Sequence, residues 1–234
     1  MDIKLHKYNC CDFSNVDSIG VLCRGKSLGQ IGKYKDNFKN IFLVGQHYES
    51  LKLIGDHIDG CNIVKIHGST FNKPSNGYKK QYAKYNIRDM QTYLDPSLSD
   101  RKAYKFKKIT KRNHNLLEVF PKPLNFGLRN LRFLDDRKYI VKKTTNHPTI
   151  GLFAVDMACA YNPKSIHIIG LDFYCSHDFV IEKLHMSNAS NVQRGSGMIE
   201  YFTLLCKAEP QINFYLYTCC EKIKSKGNLE VIRV

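Results

Sequence analysis

No run of about 20 apolar residues occurs anywhere in this chain of 234 residues, so no transmembrane helix is expected. The N-terminal MDIKLHKYNCCDF lacks the apolar stretch of a secretory signal, and none is expected there. No C-x-x-C occurs among the nine cysteines, and Cys10–Cys11 and Cys219–Cys220 are adjacent pairs, a poor spacing for zinc. Their number is odd, and several lie in apolar runs (VLCRG, DMACAY, LLCKA) where a thiol packs as a small core residue. The expectation is a reduced, intracellular setting, with a disulfide framework and a metal site as the alternatives. No internal repeat is present, no G-x-x-x-x-G-K-[ST], no G-x-G-x-x-G and no D-x-D; Asp135-Asp136 is adjacent and followed by Arg137.

Acid is scarce as well. Asp and Glu number 21 against 36 Lys and Arg, a formal charge of +15. That excess favours anionic partners: phosphates, nucleotide sugars, nucleic acid or an acidic membrane face. Hydrophobic content of 43% and 12% aromatics describe a globular chain able to bury a sizeable core.

What is present is a pattern of buried strands alternating with helices. DSIGVLC (17–23), IFLVGQ (41–46) and CNIVKIHG (61–68) read as strands, with HYESLKLIGDHIDG at helical spacing between the last two. The order βαβαβ is that of a doubly wound α/β sheet. Later, 150–161 reads as a buried helix and SIHIIGL as a buried strand. GMIEYFTLLCKAEP (197–210) reads as an amphipathic helix, INFYLYTCC (212–220) as a strand, and KSKGNLEVIRV as a short closing strand. The whole, 1–234, is expected to be one mostly parallel, Rossmann-like α/β domain. Residues 72–145 form a basic Lys/Tyr-rich insertion or subdomain, and the polar stretch 175–197 is expected to be a lid.

Within the insertion, 76–115 carries eleven Lys and Arg against three Asp, interleaved with Tyr78, Tyr82, Tyr85, Tyr93, Tyr104 and Phe106. The run KKQYAKYNIRDMQTYL reads as helical. Charge interleaved with rings suits single-stranded nucleic acid, an anionic glycan, an anionic membrane surface or a plain solvated face.

Two glycine turns follow strands. Arg24-Gly25-Lys26-Ser27 after the first strand offers a hydroxyl and backbone amides to a phosphate, or is an ordinary strand-to-helix turn. Gly170, Asp172, Phe173 and Tyr174 end the strand SIHIIGL, the position at which an open α/β sheet usually sets its chemistry. In strand alternation Asp172 and Tyr174 share a face, with Phe173 opposite. The Tyr174 hydroxyl either donates to a leaving phosphate or is satisfied inside the core. Thr149 and Gly151 start the 150–161 helix, as a cap or as an anion site. Asp156 within that helix is a buried structural acid or faces the site. His177 and His185 in the lid are candidates for a general base.

The stretch HPTIGLFAVDMACAYNPKSIHIIGLDFY resembles the segment of bacterial lipooligosaccharide sialyltransferases that runs T-S-G, apolar helix, strand, G-x-D-F-Y. Cys23-Arg24-Gly25-Lys26-Ser27-Leu28 is similar to that family's N-terminal G-N-G-P-S-L. IEYFTLLCKAEPQINFYLYT (199–218) looks like the helix and strand after its lid. The resemblance covers about a third of the chain. It departs at Arg24 (asparagine in the family), at Ile150 (serine) and at Gly45-Gln46 (asparagine-glutamine). The family's second phosphate-binding tyrosine has no counterpart here, Val180 falling near its place.

The resemblance implies a GT-A-like Rossmann domain that transfers sialic acid from CMP-sialic acid to a galactose or sialic acid acceptor, with inversion and no required metal or other cofactor. By position it carries the CMP contacts to Gly25, Ser27, Thr149 and Gly151, the leaving-phosphate contact to Tyr174, and the base to His185; Arg24 and Asp172, on the same two turns, are added as nucleotide-binding candidates. The partners expected are a nucleotide sugar, a glycan acceptor, an anionic membrane surface through 76–115 and a second copy of the chain. The location expected is cytoplasmic, or peripheral on the cytoplasmic membrane face. The rival readings are a basic nucleic-acid-binding protein, a pyrophosphokinase-like nucleotide binder and an inactive relative of the fold.

Overall fold

The apolar runs become strands buried on both faces, as central parallel strands are. The computed structural model describes residues 16–44, 48–67, 84–85, 88–94, 104–107, 150–175 and 189–234. Among them the strands are β1 (Ser18–Leu22), β2 (Asn40–Val44), β3 (Asn62–His67), β4 (Arg88–Leu94), β5 (Tyr104–Lys107), β6 (Ser165–Ile169), β7 (Asn213–Thr218) and β8 (Leu229–Arg233). The α-helices are α1 (Tyr48–Ile54), α2 (Ile150–Ala160) and α3 (Ala189–Ala208). The strands form one sheet in the order β5-β4-β3-β2-β1-β6-β7-β8. Every neighbouring pair is parallel except β4 with β5. This is the expected α/β, doubly wound, mostly parallel sheet.

The two faces bury separate clusters. Ile19, Val21, Phe42, Ile166, Ile168, Phe214 and Leu216 face Leu152 and Val155 of α2 and Phe202 and Leu205 of α3. On the other face Leu22, Ile41, Leu43, Ile63 and Ile169 meet Leu28, Ile31, Phe38, Leu51 and Ile54. Each such side chain contributes about 1.5–3 kcal/mol by leaving water. Helix α2 (IGLFAVDMACA) is apolar nearly all round, which fits a helix buried between sheet and neighbours. Asp156 lies buried within it.

The crossover from β1 to β2 is a 3-10 helix, Lys26–Lys33, followed by a shorter one at Lys35–Asn37. Gly29 and Gly32 weaken an α-helix here. Leu28, Ile31 and Tyr34 recur every third residue, the period at which a 3-10 helix aligns side chains on one face. At the other end of the chain, the Asn228 side-chain amide donates to the carbonyls of Cys206 (3.0 Å), Glu209 (2.9 Å) and Ile212 (2.7 Å), tying the end of α3 to the β7–β8 connection.

Three local expectations change. RDMQTYL, read as helical, is strand β4. Its alternation of Met90, Thr92 and Leu94 with Asp89, Gln91 and Tyr93 matches a period of two, and pairing with β3 overrides the helical propensity of the flanking lysines. Helix α3 starts at Ala189, ahead of the expected Gly197, so the last part of 175–197 is helical. Residues 176–188, and most of 72–145, lie outside the described residues. Among the described cysteines, Cys175 and Cys220 are bonded to each other across a Cα–Cα distance of 5.3 Å, which departs from the expectation of reduced thiols. Cys23, Cys159 and Cys206 are buried in the core as expected. No helix among the described residues is long and apolar enough to cross a membrane.

Candidate functional site

Strands β1 and β6 are neighbours and run level, from Ser18 beside Ser165 to Leu22 beside Ile169. From β1 the chain moves outward through β2, β3 and β4; β6 leads the other way through β7 and β8. The crevice beyond their carboxyl ends is the topological switch point, where open α/β sheets bind ligands. Helix α2 lies between β5 and β6 in the chain and must return along β6. Its eleven residues span about 16 Å, roughly the length of a five-residue strand. The first turn of α2, with buried Gly151, therefore reaches the same edge.

The two bends leaving β1 and β6 are fastened to each other. The backbone N–H of Cys23 donates to Ile169 O (2.7 Å) and that of Gly25 to Gly170 O (2.7 Å). Gly170 has φ +82°, and a Cβ there would stand 2.4 Å from Cys23 O. A Cβ on Gly25 would stand 2.4 Å from Asp172 Oδ2. The bends approach this closely because both positions lack a side chain.

Asp172, only 4% exposed, is the centre of this junction. Its Oδ2 accepts from the Ser27 amide (3.0 Å). Its Oδ1 accepts from the Ser27 hydroxyl (2.7 Å), the Thr218 hydroxyl (2.8 Å) and, at 3.4 Å, the Cys219 amide. Ser27 Oγ in turn accepts from the Gly170 amide (2.9 Å), and Thr218 Oγ1 accepts from the Cys220 amide (3.1 Å). A buried carboxylate held by this many donors is a strong, directional fastener. The same charge adds to burial in raising the Cys23 thiol far above its ordinary pKa, burial being the larger cause.

The chain then turns tightly. Phe173 and Tyr174 have φ of +50° and +59°, left-handed values that cost a non-glycine residue on the order of 1 kcal/mol or more. So Asp172 and Tyr174 do not share a strand face as alternation suggested: β6 ends at Ile169, and the residues beyond Gly170 form a turn. The turn is held by the Cys175 amide donating to Asp172 O (2.7 Å) and by the Phe173 ring, 5.7 Å from that of Phe202. Helix α3 passes so near that a Cβ on Gly195 would stand 2.2 Å from Phe173 O. Tyr174 is half-buried, packed on the core cluster at one side and open at the other.

Of the residues singled out from the sequence, Gly25, Ser27 and Asp172 meet directly, with half-buried Arg24 on the same bend and Tyr174 two residues past Asp172. The Gly25 and Ser27 amides, expected to cradle a phosphate, are bonded to Gly170 O and Asp172 instead. Thr149, His177 and His185 lie outside the described residues. Thr218, Cys219 and Cys220 escaped the sequence reading. A hydroxyl at the buried end of a parallel strand, in the run YTCC, was the available signal.

Away from this edge, on β6, His167 Nδ1 is 2.9 Å from the Tyr217 hydroxyl and its ring stacks on Tyr215 (4.7 Å, 14°). Burial lowers its pKa to about 4 and raises that of Tyr217 to about 12, so both are neutral near pH 7.

No protein-family model matches this chain, and no curated protein matches it. Among solved structures it is similar to the monofunctional alpha-2,3-sialyltransferase Cst-I from Campylobacter jejuni, at 19% identity over 89% of this chain and 78% of that one, with a TM-score of 0.38. It is also similar to the sialyltransferase Cst-II in complex with CMP, at 15% identity over 88% of this chain and 82% of that one, with a TM-score of 0.37.

Proposed function

We propose that the protein is a glycosyltransferase that moves a sugar from a CMP-activated donor, sialic acid being the leading one, to a glycan hydroxyl with inversion. The observation that carries this is the Ser27–Asp172 junction: it draws two bends together at the switch point and leaves Tyr174 half-buried beside them. Its support in the sequence is the G-x-D-F-Y strand end with its preceding apolar helix, and the turn Cys23–Leu28.

Asp172 positions rather than contacts. By holding Ser27 it fixes the bend from which the Arg24 and Lys26 side chains meet the nucleotide phosphate. Thr149 and Gly151 offer the α2 amino end to the same charge. The acceptor oxygen attacks the anomeric carbon as the bond from that carbon to the phosphate oxygen breaks. The Tyr174 hydroxyl donates to the departing oxygen, and His185 takes the acceptor proton. The nucleoside monophosphate is already a good leaving group, so the reading needs no divalent cation.

The test is hydrolysis of CMP-sialic acid without acceptor, and transfer with a galactoside acceptor. Activity is expected in the native chain and is lost in Tyr174→Phe and His185→Ala. A native chain that neither hydrolyses nor binds any CMP sugar overturns the proposal.

A further inference from the structure

We propose that the Cys175–Cys220 bond is a thiol–disulfide exchange site, opened by a dithiol reductant, that sets the order of the bend carrying Tyr174. The bond is placed to do so. Cys175 directly follows Tyr174, and its amide closes the turn on Asp172 O at 2.7 Å. Cys220 lends its amide to Thr218 Oγ1 at 3.1 Å, and Thr218 donates to Asp172 Oδ1 at 2.8 Å. Cys175 is thus one hydrogen bond from the Asp172 backbone carbonyl, and Cys220 two from the Asp172 carboxylate that joins the bends.

The two sulfurs differ in access. Cys220 is fully buried, whereas Cys175 is half-buried at the rim of the crevice. A thiolate of the reductant attacks Sγ of Cys175, and the Cys220 sulfur leaves with the bonding pair and takes a proton. The second thiol of the reductant then attacks its own sulfur in the mixed disulfide, freeing Cys175 as a thiol and closing the reductant into a disulfide. Two electrons pass from the dithiol to the bond, and the step reverses with the oxidised reductant.

The core thiols do not compete. Burial raises the pKa of Cys23 and of Cys206 far above the usual thiol range, which keeps both protonated and unreactive. Cys61 precedes β3 and so sits at the opposite edge of the sheet. Cys219 adjoins the bond, and its amide reaches Asp172. Reduction removes the covalent link between the bend after β6 and the segment after β7 and leaves the strained residues Phe173 and Tyr174 held by hydrogen bonds and packing alone.

The test equilibrates the full-length protein in glutathione buffers from reducing to oxidising. Free thiols are alkylated and mapped by mass, and amide hydrogen exchange is followed with and without dithiothreitol. One two-electron transition is expected, confined to Cys175 and Cys220. It is absent from Cys175→Ser and from Cys220→Ala, either of which suffices should the other not fold, and is retained in Cys219→Ser. Exchange of the amides in 172–175 is expected to quicken by about tenfold on reduction while β1 and β6 stay protected. Thiols at both positions in every buffer, or exchange at 172–175 that ignores the redox state, overturn the proposal. The inference rests on the nucleotide reading only for its consequence, weaker CMP binding after reduction. A bend that loosens on reduction in a chain that binds no CMP in either state upholds the exchange site and sinks that reading alone.

Discussion

Ser27 and Asp172 lie 145 residues apart in the chain and are joined by two hydrogen bonds, amide to Oδ2 at 3.0 Å and hydroxyl to Oδ1 at 2.7 Å. This pairing sets the bend after β1 against the bend after β6. It turns a crevice that any doubly wound sheet has into one with fixed walls.

Asp172→Asn keeps the volume and removes the charge. Its amide nitrogen must face either the Ser27 N–H or the donors Ser27 Oγ, Thr218 Oγ1 and Cys219 N, so in either orientation a donor opposes donors that have lost their acceptor. A loss of about 2 kcal/mol in unfolding free energy is expected, measured by urea denaturation. A variant as stable as the native chain contradicts the role given to the carboxylate.

Tyr174→Phe removes one hydroxyl from a half-buried ring whose packing stays. Turnover of a CMP sugar is expected to fall by about 10²–10³-fold, with little change in KM or Tm. Loss of stability without a selective loss of turnover makes this tyrosine a core residue instead.

Gly170→Ala introduces a Cβ at φ +82°, 2.4 Å from Cys23 O. The backbone conformation alone costs about 1–3 kcal/mol, and the contact forces the bends apart. Nucleotide binding and stability are both expected to drop, read by calorimetry and thermal melting.

His167 titrates far below its ordinary range because burial disfavours its charged form, with a pKa of about 4 against 6.5 for the free side chain. Between those values the unfolded chain binds the proton more tightly, so stability rises with pH through this window and is complete above it. The gain is on the order of 2 kcal/mol. His167→Phe keeps a ring against Tyr215 and is expected to flatten the profile between pH 4 and 6.5.

Much of this was legible in the residues. β1, β2, β3, β6 and β7 announce themselves as largely apolar runs, interrupted at Lys65 in β3 and His167 in β6, because both faces of a central parallel strand are buried. The bends were legible too, since Gly25 and Gly170 each follow such a run. β4 was not: seven residues beside the edge strand β5, with a lysine-rich approach, carry the propensities of an exposed helix, and only pairing with β3 and β5 decides. The convergence on Asp172 was hidden for another reason. Its donors Ser27, Thr218 and Cys219 come from distant parts of the chain, and no local pattern records their meeting. The turn at Phe173 and Tyr174 was likewise invisible, because neither residue type favours positive φ.

Thermal melting of the native chain against CMP, UDP, GDP and their sugars tests the central claim most directly. A CMP sugar at about a hundredfold over its Kd contributes about 2.7 kcal/mol, which corresponds to a rise in Tm of about 5–10 °C for a chain of this size. CMP ligands are expected to give that rise and UDP and GDP ligands less, with the CMP effect lost in Ser27→Ala. A Tm that no nucleotide or nucleotide sugar moves contradicts the account.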